Sequence, residues 1–305
     1  MFSEVKISNG KGSNGAAFRR VLIGAAALML GVMLPSKASF AEIIGSGYNF
    51  DATQSSQGSI VVDYGPGSTG NWEEDEQGRR YKRNDSYVTS TWLDTPEGSF
   101  CFDENGYVYT NSLLERDGKL YYVKDDGAVM KDVELGAKGI AYVVDEEGVA
   151  TPASQLSEYD EAAREIAASL IGDIINDSMT EEEKITAIFN FVKFYYMGYT
   201  ANGPLEDAAE SAVYGFRRKT GNCFEYAAVS HYLILAAGFD DIIVKKFDDG
   251  HFWNMILTSK GWKHYDTTPW DDFDAGPILL SPTKFIEDNY WTYFKFNVGE
   301  YPEAL

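Results

Sequence analysis

The chain has 305 residues, 44% of them hydrophobic and 14% aromatic, which is ample for packed cores and argues against disorder. It carries 47 acidic against 26 basic side chains, a formal charge of −21; such a surface repels phosphate backbones and anionic lipid, so nucleic-acid binding is not expected and neutral or cationic partners are favoured. With 2 cysteines and 3 histidines there is no disulfide scaffold and no zinc cluster, and neither a metal nor a cofactor is expected.

Residues 1–41 read as a signal peptide: a polar start, Arg19 and Arg20, an apolar run from Val21 to Leu34, then Pro35 and small residues ending at Ser39, Phe40 and Ala41. The apolar run falls short of the ~20 residues a membrane span needs, so removal and secretion are the expectation, with an uncleaved anchor as the alternative. Residues 42–70 are rich in Gly, Ser and Gln and read as a linker with at most one short strand around Ile60, Val61 and Val62.

From 71 to 150 the chain repeats itself. Gly78, Gly98, Gly118 and Gly139 recur with a second set at Gly106, Gly127 and Gly148, a period of 20 or 21 residues. Acidic residues closed by Gly between alternating apolar runs are hairpin turn chemistry, so each unit reads as strand, turn and strand, and the set as a solenoid of β-hairpins. Trp72 and Trp92 open two units, Leu113 and Glu134 stand at the matching later positions, and Tyr121 and Tyr122 are the fullest aromatic pair. These units resemble the cell-wall or choline-binding repeats of Gram-positive surface proteins, in which aromatic rings cage a quaternary ammonium. The resemblance implies Trp72, Trp92, Tyr121 and Tyr122 as binding candidates for a cell-wall polymer. A rigid spacer with its aromatics in the core is the alternative. Cys101 stands on a strand position of the same region and reads as a small buried hydrophobe.

Ser157 to about Asn176 and the stretch opened by Thr180 and Glu183 read as two core-forming helices, the second with a capping box. Gly221 to Phe239 reads as a buried helix closed by Gly238, with Cys223 in its first turn, where the positive end of the helix dipole favours a thiolate. After it come a strand from Asp241, a turn ending at Gly250, a strand opened by His251, a turn at Gly261 and a strand ended by Asp266. The hairpin can set His251 and Asp266 side by side at one end of a sheet. Trp253 and Asn254 read as site walls or core, His231 as structural, and His264 as a surface or supporting residue. The stretch from Pro282 reads as a short amphipathic helix followed by a terminal strand.

Gly221, Cys223 and Ala227 on the helix, then Gly250, His251, Trp253 and Asn254, then Gly261, Trp262, Asp266 and Thr268 resemble the signature of the transglutaminase-like superfamily. The resemblance implies an α+β, papain-like core over 155–305, with Cys223 as nucleophile, His251 as general base and acid, and Asp266 as the carboxylate that orients the imidazole. Tyr199, on an aromatic-bearing loop, is the side-chain candidate for the oxyanion site beside the Cys223 backbone N–H. The expected activity is cleavage or exchange of peptide or isopeptide amides in extracellular protein or peptide, with hydrolysis ahead of transamidation. The rival reading is a surface-binding protein without turnover.

Overall fold

The computed structural model describes residues 61–62, 70–201, 203, 207–247, 250–269 and 278–305. The segment read as a signal peptide, most of the segment read as a linker, and the stretch with Asp271, Asp272 and Asp274, read from the sequence as a solvated loop, lie outside the described residues.

The N-terminal part is a run of antiparallel hairpins. After the short strand β1 (Val61–Val62), which pairs in parallel with β5, come β2 (Gly70–Asp75), β3 (Gly78–Arg83) and β4 (Ser86–Tyr87), then β5 (Trp92–Thr95) with β6 (Gly98–Cys101), and β7 (Ser112–Arg116) with β8 (Lys119–Val123). The first glycine set closes these hairpins: Thr95 pairs with Gly98 and Arg116 with Lys119, leaving two-residue turns. The second set has a different task from the one the pattern suggests. The acidic turns before Gly106 and Gly127 lead not to full strands but to single bridges, Phe102 with Val108 and Val123 with Val129. These connecting segments join neighbouring units, since Val108 N donates to Arg79 O and Val129 N to Ser99 O. Gly127 has φ +85°, and a Cβ there would lie 2.9 Å from Val108, so the period of the second set reflects a close approach to the unit before it.

Two small cores fill the hairpins. Tyr81, Leu93, Phe100 and Phe102 form one, and Trp92, Cys101, Leu114 and Val123 the other. Cys101 is buried there and is not disulfide-bonded to Cys223.

The fourth unit, β9 (Val133–Ala137) and β10 (Ile140–Val144), continues into β11 (Ala150–Pro152) and belongs to a larger sheet. With β14 (Asp241–Lys245), β15 (Phe252–Thr258), β16 (Gly261–Tyr265) and β17 (Leu279–Ser281) it forms seven strands in the order β11-β10-β9-β14-β15-β16-β17. The sequence groups this hairpin with the repeats; its hydrogen bonds to β14 also make it part of the C-terminal sheet. Gly136 on β9 leaves room for the Asp241 carboxylate and the Leu235 side chain, which a Cβ would meet.

On one face of this sheet lies α4 (Cys223–Ala236), with α1 (Asp160–Ile174), α2 (Glu181–Asn190) and α3 (Ala208–Arg218) around it. Nearly every α4 side chain beyond Cys223 is buried, as expected for a helix that is apolar all round. The capping box on α2 is formed: Thr180 N donates to Glu183 Oε2 and Glu183 N to Thr180 Oγ1. The second face is covered by α5 (Thr283–Phe294) and the chain after it, which forms no terminal strand. That differs from the expected strand because Phe296 and Tyr301 pack as single anchors under the sheet instead.

Candidate active site

Asn222 and Glu225 start the helix. Asn222 caps α4 by accepting from Phe224 N at 2.8 Å, and Glu225 Oε2 accepts from Asn222 N at 2.7 Å, so Cys223 is held in the first turn. Cys223 is partly exposed, while nearly all the rest of the helix is buried. Upstream, β12 (Gly198–Tyr199) pairs in parallel with β13 (Thr220–Gly221), with Tyr199 opposite Gly221. This register puts Tyr199, 57% exposed, two residues from Cys223 along the facing strand.

The β15–β16 ladder ends at Asn254 opposite Tyr265, and His251 and Asp266 sit just beyond it. Their backbones are fixed by Lys246 N donating to His251 O and Asp266 N donating to Ile278 O. His251 Nε2 lies 3.0 Å from Asp266 Oδ2, and each residue is 2% exposed. Asp266 Oδ1 also accepts from Thr268 N at 2.8 Å. Thr267 fastens the same loop to α4, its Oγ1 2.9 Å from Ser230 Oγ. The Cys223 side chain also acts on the imidazole, favouring its protonated form.

Burial alone would strip the proton from His251. The Asp266 carboxylate and its hydrogen bond, helped by Cys223, outweigh that cost and hold the imidazole up to about 9. The ring is boxed in by aromatics: Trp253 stacks on it with centroids 5.6 Å apart, and Phe294 of α5 meets it edge-on at 5.1 Å. Trp253 is therefore a buried backing for His251 and not a wall facing solvent. Its Nε1 donates to His264 Nδ1 at 2.9 Å. Because the indole can only donate, His264 is the tautomer with hydrogen on Nε2, which donates to Thr283 Oγ1 at 3.1 Å. His264 is fully buried, which overturns the surface reading, and burial pushes it down to about 3, so it stays neutral.

Asn254 is core. Its side chain donates to Ala227 O and to Asp241 Oδ2, tying strand, helix and β14 together. His231 is structural too, with Nδ1 2.9 Å from Asp241 Oδ1 inside the protein. Burial opposes its charge, and Asp241 more than offsets that and raises its affinity for the proton.

In the repeats, Trp92 and Tyr122 are each 1% exposed and present no ring face to a ligand, so they are packing residues and not binding candidates. Trp72 and Tyr121 are half-buried. The Trp72 face is covered by the Arg79 guanidinium at 4.3 Å, and Trp92 has Arg116 at 5.4 Å, which itself forks onto Asp94. The place a quaternary ammonium would take over Trp72 is filled by the chain's own cation.

Two further residues contribute. Phe294 comes from α5, and Lys193 reaches the loop of Asp266 from the wide π-helical turn Phe191–Tyr196. Neither has a local signal, because both act across long sequence separations.

Residues 168–267 match the profile of the transglutaminase-like superfamily. No curated protein matches the chain. Among solved structures, the periplasmic domain of TgpA from Pseudomonas aeruginosa bound to ethylmercury is 18% identical, covering 35% of this chain and 44% of that one, with TM-score 0.27. The modular Cpl-1 endolysin complexed with a peptidoglycan analogue is 28% identical over 28% of this chain and 25% of its own, with TM-score 0.25. The pneumococcal cell-wall endolysin from phage Cp-1 complexed with choline is 15% identical, covering 71% of this chain and 42% of that one, with TM-score 0.26. The chain thus spans between a quarter and less than half of each of these structures. The matched segment runs from α1 to Thr267 and contains Cys223, His251 and Asp266, and it makes residues 168–267 a transglutaminase-like domain.

Proposed function

We propose that this protein is a secreted thiol enzyme that cleaves or exchanges peptide or isopeptide amides through Cys223, His251 and Asp266. The observation that carries this reading is the buried His251–Asp266 pair, its imidazole influenced by Cys223 at the capped start of the helix. His251 takes the Cys223 proton, and the sulfur attacks the amide carbonyl carbon to give a tetrahedral oxyanion. The Cys223 backbone N–H, with the Tyr199 hydroxyl, is the proposed donor set for that oxygen. Collapse breaks the C–N bond, the amine leaves with the proton from the imidazolium, and a thioester remains on Cys223. Water activated by His251 then releases the acid and restores the thiol; a primary amine in its place would complete transamidation. Hydrolysis ranks first because nothing identifies an amine-acceptor site and water is abundant.

The test is to incubate the protein lacking residues 1–41 with unfolded casein and a fluorescent primary amine, beside Cys223→Ala. Cys223-dependent release of ammonia or new chain ends, faster than amine incorporation, is the expected result. Incorporation faster than hydrolysis would assign transamidation. Absence of both, with no acyl adduct on Cys223, would favour the binding-protein reading.

For the repeats, the covered Trp72 face favours a spacer role over choline-type recognition. Because β9 and β10 are strands of the C-terminal sheet, retention on purified cell walls should be measured with the whole secreted chain; salt-resistant retention would restore the wall-binding reading.

A further inference from the structure

Lys193 lies where α2 gives way to the π-helical turn Phe191–Tyr196. A single turn of this kind changes which way its side chains are aimed and is found often at functional sites. Here the turn is pinned from behind by Tyr196, whose hydroxyl donates to Phe216 O at 2.8 Å. Lys193 then projects between ring faces, its Nζ 5.5 Å from the Phe189 centroid and 6.0 Å from that of Phe194. The ammonium donates to the carbonyl of Thr268. Burial lowers the affinity of Lys193 for its proton, and Asp266 acts in the opposite sense.

An unbranched apolar side chain would fill this half-buried space between two phenylalanines without desolvating a charge. What lysine adds is a donor and a positive charge at the loop that carries Asp266. That loop makes three linked contacts: Lys193 Nζ to Thr268 O, Thr268 N to Asp266 Oδ1, and His251 Nε2 to Asp266 Oδ2. We propose that Lys193 is a positioning residue for the candidate active site, fixing Asp266 through Thr268 so that the carboxylate stays aligned on His251. This rests on the proposed roles of Cys223, His251 and Asp266. Lys193 does not touch the reacting atoms. Among the described residues, the charged groups that act on His251 are Asp266 and Cys223, and the one that acts on Lys193 is Asp266.

The experiment is the rate of Cys223 alkylation by iodoacetamide from pH 4 to 10, located by peptide mass mapping, for the wild type, His251→Ala, Lys193→Met and Lys193→Arg, with thermal melting of each. Lys193→Met is expected to melt near the wild type but to react about tenfold more slowly at pH 7. Its His251-dependent limb should move down toward the ordinary imidazole range. Lys193→Arg, which keeps both the donor and the charge, should restore rate and profile. If Lys193→Met does not fold, Lys193→Gln against Lys193→Arg gives the same contrast, with Gln slower and Arg at the wild-type level. Lys193→Met coinciding with the wild type, or Arg failing to restore what Met removes, would overturn the inference while the catalytic reading stands. A wild type with no His251-dependent reactivity would overturn both.

Discussion

His251 Nε2 and Asp266 Oδ2 meet at 3.0 Å just past the open end of the β15–β16 ladder, from residues fifteen positions apart and each almost wholly buried. A carboxylate buried in this way is accepted because its lone pairs are used, by His251 on one oxygen and by Thr268 N on the other. Orientation of the imidazole depends on this pair.

Asp266→Asn keeps the size of the side chain but removes its charge and one acceptor. Amide cleavage is expected to fall by about 10²-fold or more, and the melting temperature at neutral pH to fall as well, because the pair with His251 no longer contributes stability. Activity within a few-fold of the wild type would mean that Asp266 does not orient His251.

His251 also sets a pH dependence whose sign is fixed. Its affinity for a proton is raised in the folded protein, to about 9, above the ~6.5 of a free imidazole. The stability it contributes is therefore fully present below about 6.5 and is lost as the pH rises through about 9. The protonated ring, proposed as the acid for the leaving amine, disappears over the same range. Melting temperature against pH should show this loss in the wild type and lack it in His251→Gln, and a cleavage rate that keeps rising past pH 9.5 would contradict it.

Gly136 ties the last hairpin unit to the C-terminal sheet. A methyl group at this position meets Leu235 at 2.8 Å and the Asp241 carboxylate, both buried. Gly136→Ala is expected to cost about 1–3 kcal/mol in denaturant unfolding, as overpacking does elsewhere. A neutral effect would show that β9 is free to shift away from α4.

The buried pair of His231 and Asp241 carries a separate prediction. His231→Ala leaves the Asp241 carboxylate with Asn254 as its hydrogen-bond donor and should destabilise the fold by about 3–5 kcal/mol. In the surviving folded fraction, alkylation of Cys223 should be unchanged, because His231 lies mid-helix and away from the thiol. Loss of Cys223 reactivity without loss of stability would instead place His231 in the chemistry.

Much of this site is written locally in the chain. The Gly-Asn entry before Cys223, the apolar helix behind it and the glycine-bounded hairpin from His251 to Asp266 are patterns of a few residues, and they lead to the right elements. The helix α3 also has a local signal: Asp207 caps it by accepting from Glu210 N, ahead of apolar residues at Ala209, Ala212, Val213 and Phe216. Other features were not legible because they depend on distant partners. The burial of His264 needs Trp253 and Thr283, the aromatic box of His251 needs Phe294, and the fate of Trp72 needs Arg79 to fold back over it. The repeats were readable as hairpins, but which glycine closes the turn and which admits the neighbouring unit is decided by packing between units.

The most direct test of the account is the reaction of Cys223 with iodoacetamide in the native protein, compared with His251→Ala at neutral pH. Rapid alkylation of Cys223 is expected in the wild type, with buried Cys101 protected, and a loss of at least about tenfold when the imidazole is removed. A Cys223 that stays inert until the protein is denatured, or that reacts equally well without His251, would contradict it.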